Sequence, residues 1–237
     1  MNYLMQMNWN LARAWLVHLY TGFGLICGFL ALNAMIKNDP KLAFFWLGVA
    51  LVVDATDGTL ARKFNIKHWT PGFDGRKLDD ITDYLNYAFL PVFFIWRFEL
   101  ITAAWIFVIP LVLLASVYGF CQSEAKTDDG YFTGFPNFWN LVALYLFTFQ
   151  WPVFINGIIL VILAIMIFVP FKFVSFSTPG KIRLTKSLSI VYFIFLIILV
   201  WNPSSSIAII SLIFPLMYFG YALYLKATDS KALLLTE

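Results

Sequence analysis

Charged residues are scarce in this sequence: Asp, Glu, Lys and Arg make up 12% of its 237 residues. A typical soluble domain has about twice that share, so the composition excludes a disordered chain, a coiled coil and an ordinary water-soluble enzyme. Cysteine is also rare. The only two, Cys27 and Cys121, lie in apolar runs and have neither metal-site spacing nor a disulfide framework. The net charge of +3 is too small to indicate nucleic-acid binding.

Apolar residues, in contrast, are abundant. Hydrophobic residues make up 61% of the chain, aromatic residues make up 19%, and the mean hydropathy is +0.81. A membrane-spanning helix needs about 20 apolar residues, and short polar breaks divide the chain into eight apolar runs. These runs are approximately residues 14–36, 42–64, 78–96, 101–122, 136–149, 153–171, 187–201 and 205–225. The sequence therefore predicts an all-α, polytopic membrane protein with about eight transmembrane helices, as one domain over residues 1–237, whose first run is a retained span.

The basic residues indicate how these helices are oriented. If the N-terminus faces the cytoplasm, 13 of the 16 Lys and Arg residues fall in cytoplasmic segments. Only Lys37, Lys41 and Arg97 then lie outside. By the positive-inside rule both termini are cytoplasmic, which requires an even number of spans.

The acidic residues are concentrated where the second predicted helix leaves the membrane and the third one enters it. Asp54 and Asp57 are three residues apart on one helix, so they share a face. Asp79 and Asp83 are four apart on the next helix and also share a face. Carboxylates that converge in this way repel each other unless cations neutralise them. Hard divalent ions suit such ligands, with magnesium or manganese favoured where phosphate is present.

Small and basic residues continue the pattern on the second helix. Gly58 and Ala61 extend the Asp54–Asp57 stripe and leave room for a bulky group beside the backbone. Arg62 follows, and its forked guanidinium suits a phosphate oxygen. Asp74 and Asp80 are predicted to lie off the face that carries the other acids.

At this point the residues resemble the signature of the CDP-alcohol phosphotransferases. Its eight positions correspond here to Asp54, Asp57, Gly58, Ala61, Arg62, Gly75, Asp79 and Asp83. The 12-residue spacer between Arg62 and Gly75 is longer than is usual in the family. That spacer and the stretches 83–87, 17–21 and 125–140 resemble one branch, the bacterial phosphatidylcholine synthases.

The resemblance implies a reaction and a set of roles. The reaction is transfer of the phosphatidyl group of CDP-diacylglycerol to choline, which gives phosphatidylcholine and CMP. Asp54, Asp57 and Asp79 are then expected to hold divalent cations, Mg or Mn, as two ions. Asp83 is expected to be the general base and a metal ligand too. The resemblance also implies a homodimer in the cell inner membrane with the active site on the cytoplasmic side.

Nucleotide contacts follow from the same resemblance. Family members usually have Asn-x2-Thr in the first helix, where it contacts the nucleotide. Here His18-x2-Thr21 has that spacing, so Thr21 is a predicted nucleotide contact, whereas the sequence leaves the role of His18 open. The other predicted contacts to the nucleotide or diphosphate are Gly58, Ala61, Arg62 and Gly75.

Two further groups of residues are candidates for the lipid phosphate and for choline. Three basic residues in predicted cytoplasmic loops are candidates for the lipid phosphate: Lys126, Arg183 and Lys186. Choline is a quaternary ammonium without an N–H group, so its recognition requires ring faces and negative charge. The candidates for that site are Tyr84, Tyr87, Tyr118, Trp139 and Glu124.

Two alternatives remain open from the sequence. The first is the same chemistry with serine, glycerol 3-phosphate or an inositol phosphate as acceptor. Anionic acceptors call for additional basic residues beside the acids, and few are present there. The second is an acid-lined divalent-cation transporter. Such a protein should have paired sites near the bilayer midplane in two halves, and the second half of this chain has no matching set of acids.

Overall fold

A computed structural model describes residues 2–122, 131–169, 172–174 and 182–234. Helices dominate this part of the chain: α1 Asn2–Ile36, α2 Pro40–Lys63, α3 Ile66–Trp69, α4 Gly75–Asp83, α5 Leu90–Arg97, α6 Val108–Cys121, α7 Trp139–Phe149, α8 Val153–Ile167, α9 Ile182–Trp201 and α10 Ser205–Leu234. A π-helical turn, Tyr84–Phe89, joins α4 to α5, and a 3-10 turn, Ala103–Trp105, precedes α6. Two short strands, β1 Tyr131–Thr133 and β2 Lys172–Val174, pair antiparallel with Phe132 opposite Phe173.

Each of the eight predicted apolar runs coincides with a helix, and the third run is covered by α4, the π turn and α5 in succession. Within the described residues, three helices are long and apolar enough to cross a membrane: Trp9–Ile36, Pro40–Lys63 and Ala103–Cys121. Four more helices are apolar but shorter. The predicted helical, membrane-type architecture is therefore confirmed, whereas the count of eight spans and the side on which the termini lie stay predictions. The β1–β2 pair departs from the all-α prediction, and its strands are only three residues long.

The chain divides into two compact units, Met1–Pro91 and Val92–Glu237. The first unit contains α1 to α4 and the π turn, and it therefore contains the acids of the predicted site, Asp54, Asp57, Asp79 and Asp83, together with Asp74 and Asp80. The second unit contains α6 to α10 and the strand pair. The organisation as one functional domain stays a prediction.

Local signals set the ends of the helices in the first unit. Asp39 caps α2, since its Oδ1 accepts a hydrogen bond from the Leu42 amide at 2.9 Å, and Pro40 occupies the first turn. Asn65 turns the chain after α2 with a φ of +48°, a left-handed conformation that asparagine tolerates. Asp74 caps α4, whose first turn it closes by accepting from the Lys77 amide at 3.0 Å. These turns reverse the chain, so α4 runs back alongside α1.

Two glycines let α1 approach α4 and the π turn closely. Gly24 and Gly28 are four residues apart and share one face of α1. A Cβ on Gly24 would lie 2.6 Å from Thr82 Cγ2, and one on Gly28 would lie 2.7 Å from Asn86 Oδ1. The Asn86 amide nitrogen donates to the Gly24 carbonyl at 3.0 Å across this contact. The glycine pair thus forms a close-packed seam of the kind that small residues make in membranes.

A methyl group at Gly28 should destabilise this unit. We expect Gly28→Ala to lower the free energy of unfolding by about 1–2 kcal/mol, because overpacking outweighs the gain in helix propensity. The measurement is the thermal unfolding midpoint of the purified protein in detergent. Gly22→Ala is the matched control, because a Cβ at Gly22 would have no described atom of another segment within 4 Å. Equal midpoints for the two variants would show that the seam tolerates a side chain.

Polar side chains in the second unit are paired between helices. Trp139 is fully buried, and its Nε1 donates to Ser116 Oγ at 2.8 Å, which links α7 to α6. The hydroxyls of Tyr145 and Ser211 lie 2.8 Å apart and link α7 to α10. Hydrogen bonds of this kind hold helices together where no water competes for them.

Candidate active site

Three carboxylates meet in the first unit. Asp54 and Asp57 lie one turn apart on α2, and Asp79 approaches them from α4. One carboxylate oxygen from each of the three lies within 4.8 Å of the others. Asp57 is only 4% exposed, and the other two are half-buried. The spacing prediction that these acids converge is therefore confirmed for Asp54, Asp57 and Asp79, which we call the carboxylate triad.

Asp83 lies beside the triad without being part of it. It is half-buried and lines the same pocket, one turn after Asp79 on α4. Helices α1, α2 and α4 and the π turn all contribute to the walls of this pocket. The arrangement therefore offers three oxygen donors at one point and a fourth carboxylate next to it.

The donor chemistry of the triad fits a hard divalent cation. Carboxylate oxygens are the ligands that Mg²⁺ and Mn²⁺ prefer. Among the described residues that line the pocket there is no Lys or Arg to neutralise the three acids. Carboxylates this close repel each other in a partly buried site, and a bound cation would relieve that repulsion.

Two hydroxyl groups hold the α2 carboxylates from neighbouring segments. Thr21 Oγ1, on α1, donates to Asp57 Oδ2 at 2.8 Å. The Tyr87 hydroxyl, in the π turn, donates to Asp54 Oδ2 at 2.7 Å. Thr21 is 8% exposed and Tyr87 is 4% exposed, so both bonds lie inside the helix cluster. Thr21 was predicted as a nucleotide contact and Tyr87 as a choline contact, and the structure shows each of them on a triad carboxylate.

The predicted diphosphate residues on α2 lie beyond the pocket, towards the end of the helix. Gly58 and Ala61 are half-buried, and among the described side chains a Cβ at Gly58 would approach Arg62 Nη1, at 3.4 Å. The Arg62 side chain is exposed, and its Nη2 donates to Thr59 Oγ1 at 3.3 Å. In the described part of the chain the surface over Gly58 is thus open, and the exposed guanidinium of Arg62 lies beside it.

Gly75 and His18 form a second contact between α1 and α4. A Cβ on Gly75 would lie 2.8 Å from His18 Cε1, so the His18 ring occupies the space that a side chain at Gly75 would need. His18 Nε2 lies 2.8 Å from Thr70 Oγ1. Because the Thr70 hydroxyl already donates to the Ile66 carbonyl, His18 is the donor in this bond. His18 is 5% exposed and also packs on Phe73. The sequence left the role of His18 open, and the structure shows it in structural contacts.

The remaining candidates are spread over other parts of the chain. Tyr84 is half-buried in the π turn. Tyr118 is 44% exposed on α6 and packs on Phe168, and Trp139 is buried on α7 with its indole N–H bonded to Ser116. Lys126 and Glu124 lie outside the described residues. Arg183 and Lys186 are on α9, but their side chains lie outside the described part. These candidates stay predictions.

Sequence reasoning missed the glycine seam and the direct bonds to the triad. The four-residue spacing of Gly24 and Gly28 is a recognisable signal for close helix packing, and it was available in the sequence. The bonds that Thr21 and Tyr87 make carry no comparable signal, because they join residues 36 and 33 positions apart.

Comparison with known proteins agrees with this geometry. The family model of the CDP-alcohol phosphatidyltransferases matches residues 15–174, which include the triad and Asp83. The phosphatidylcholine synthase of Pseudomonas aeruginosa is 38% identical over 208 residues, which cover 85% of this chain and 82% of the relative. That of Borreliella burgdorferi is 35% identical and covers 90% and 93% of the two chains. That of Legionella bozemanae is 39% identical and covers 84% and 95%.

The family model covers well over half of the chain, and these relatives are matched over most of their own length. The apolar helices agree with an integral membrane enzyme. The chain belongs to the CDP-alcohol phosphatidyltransferase family.

Proposed function

We propose that this protein transfers the phosphatidyl group of CDP-diacylglycerol to choline, with phosphatidylcholine and CMP as products. The observation that carries the proposal is the convergence of Asp54, Asp57 and Asp79 at one point, with Asp83 in the same pocket. The choice of choline is supported by the relatives, which are named phosphatidylcholine synthases.

The triad is the proposed cation site. Asp54, Asp57 and Asp79 would hold Mg²⁺ or Mn²⁺, with two ions as the expected number. Bound cations would neutralise the diphosphate of the substrate and the charge that develops on the leaving CMP. The protein contributes a fixed set of oxygens, because the bonds from Thr21 and Tyr87 hold two of the carboxylates in place before substrate binds.

Asp83 is the proposed general base. In the reaction the choline oxygen forms a bond to the phosphorus of the phosphatidyl group, and the bond from that phosphorus to the oxygen of CMP breaks. The proton of the choline hydroxyl goes to the Asp83 carboxylate, and the electron pair of the broken bond leaves with CMP. Asp83 suits this role because it lines the pocket next to the triad and is not one of the three converging ligands.

Other residues of the chain bind the substrates in this proposal. Arg62 is exposed beside open space over Gly58, so its guanidinium can reach a phosphate oxygen of the nucleotide. Ala61, Gly75 and Thr21 remain the other proposed nucleotide contacts. Lys126, Arg183 and Lys186 are proposed for the lipid phosphate.

A choline site needs ring faces near negative charge. Tyr84 is the proposed ring of the first unit, because it directly follows Asp83 and is only half-buried. Tyr118 and Glu124 are further candidates, whereas the ring of Trp139, the other predicted choline contact, is fully buried and offers no accessible face.

The cellular setting follows from the charge distribution and the family. We propose that the protein spans the cell inner membrane with both termini and the active site on the cytoplasmic side, and that it forms a homodimer. The excess of basic residues in the predicted cytoplasmic segments supports this orientation.

A panel of acceptor alcohols tests the proposal. Purified protein in detergent, supplied with CDP-diacylglycerol and Mg²⁺ or Mn²⁺, should convert labelled choline to phosphatidylcholine and release CMP in equal amount. EDTA should abolish the conversion. The measurements are the labelled lipid and the CMP formed.

Labelled serine, glycerol 3-phosphate and inositol phosphate serve as controls. If one of these alcohols gives a lipid product and choline gives none, the assignment of choline as the acceptor is wrong, whereas the assignment of the protein as a phosphatidyltransferase still holds. Full activity in EDTA would refute the cation site. Cation transport into vesicles without any lipid product would favour a transporter instead.

A further inference from the structure

We propose that Tyr87 is a positioning residue, which holds the Asp54 carboxylate in the orientation that a cation at the triad requires. This inference rests on the proposed cation site. In this role Tyr87 uses its hydroxyl group, which bonds to Asp54. A residue that binds choline would instead use the face of its ring.

The contact is short and directional. The Tyr87 hydroxyl donates to Asp54 Oδ2 at 2.7 Å, which is the length of a charge-assisted hydrogen bond to a carboxylate. A carboxylate has two oxygens, so this bond fixes the rotation of the group and leaves Oδ1 as a further acceptor. Partners of this kind orient metal ligands in many sites, and their loss weakens metal binding by about 10–100-fold.

The burial of Tyr87 argues against a direct role in binding choline. The residue is 4% exposed, so its ring faces are covered by protein. A quaternary ammonium needs an accessible ring face. The hydroxyl, in contrast, already lies on one of the three converging acids.

The π turn explains how Tyr87 reaches Asp54. Helix α4 carries Asp79 and Asp83, and the wider turn Tyr84–Phe89 begins directly after it. Within this turn, Asn86 bonds to the Gly24 carbonyl on α1, while its neighbour Tyr87 bonds to Asp54 on α2. Two consecutive residues thus tie the turn to two different helices. π-helical turns of this kind occur frequently at functional sites.

A second hydroxyl contact in the same unit provides a matched control. The Tyr20 hydroxyl also joins α1 to α2, with its oxygen 2.8 Å from Thr56 Oγ1. Tyr20→Phe therefore removes an inter-helix hydroxyl bond beside the triad without touching a carboxylate. Tyr87→Phe removes the bond to Asp54 and keeps the buried ring.

Mn²⁺ binding distinguishes the two variants. Electron paramagnetic resonance titration of Mn²⁺ into the purified protein in detergent, without nucleotide or choline, gives the dissociation constant. We expect this constant to rise by about tenfold or more in Tyr87→Phe and to be unchanged in Tyr20→Phe. In the assay, Tyr87→Phe should need correspondingly more Mn²⁺ for half-maximal rate, should regain rate at saturating Mn²⁺, and should keep the KM for choline.

Unchanged Mn²⁺ affinity in Tyr87→Phe would overturn the inference. So would a rate that saturating Mn²⁺ does not restore, because a merely structural defect has that result. A raised KM for choline with normal Mn²⁺ affinity would overturn it in favour of a choline contact. Wild-type protein that binds no Mn²⁺ and turns over without it would instead refute the proposed cation site itself, and with it this inference.

Discussion

Asp79→Asn should abolish turnover and weaken cation binding together. Asp79 is the only triad carboxylate that α4 supplies, so its loss leaves the two α2 acids without their partner from the other helix. An amide keeps the shape but removes the negative charge, and we expect the turnover number to fall by about a thousandfold or more, equivalent to several kcal/mol. Phosphatidylcholine formation and Mn²⁺ titration of the same preparation measure the two effects.

Asp80→Asn is the control for that experiment, because Asp80 is adjacent in sequence but does not line the pocket. We expect it to retain both activity and Mn²⁺ binding. If Asp79→Asn retains the wild-type Mn²⁺ affinity, Asp79 is not a ligand. If Asp80→Asn loses as much activity as Asp79→Asn, the effect belongs to the general charge of α4 rather than to the triad.

Asp83→Asn should also abolish turnover, but it should leave cation binding unchanged. Removal of a general base costs about 10²–10⁴-fold in rate. Since Asp83 is outside the triad, we expect Mn²⁺ affinity and the thermal unfolding midpoint to stay at their wild-type values. The measurements are the turnover number at saturating choline and CDP-diacylglycerol, together with the Mn²⁺ titration.

Either of two results would change the role of Asp83. A turnover number close to that of the wild type would remove it as the base. A loss of Mn²⁺ affinity similar to that of Asp79→Asn would make it a fourth metal ligand, which is the additional role that the family resemblance implies.

The helical architecture was predictable because hydropathy and polar breaks report directly on helices in lipid. The polar break that begins at Lys37, for example, falls where α1 ends at Ile36 and α2 begins at Pro40. The acids that converge were predictable for a related reason, since a spacing of three or four places two residues on one helix face. Asp54 and Asp57 follow that rule on α2, whereas Asp79 meets them from α4.

Other parts of the site were not predictable from periodicity. The π turn departs from the 3.6-residue repeat on which face assignments rely, so helical periodicity predicts Tyr87, four residues after Asp83, on the Asp79–Asp83 face and does not predict its bond to Asp54. The bond between His18 and Thr70 joins residues 52 positions apart, and no local pattern encodes such a pair. The strands β1 and β2 are too short for their alternation to stand out in polar segments.

The position of the triad along α2 has a consequence for the lipid substrate. Asp57 lies six residues before Lys63, the end of α2, which is about 9 Å along a helix axis. Basic side chains at the end of a span extend towards the headgroups, and that polar layer is about 5–7 Å thick on each side of the bilayer. In the proposed orientation, with Lys63 among the headgroups, Asp57 would then lie close to the depth of a lipid's glycerol backbone. A diacylglycerol-linked substrate could present its phosphorus there while both acyl chains stay in their leaflet, so the proposed reaction would require no extraction of the lipid.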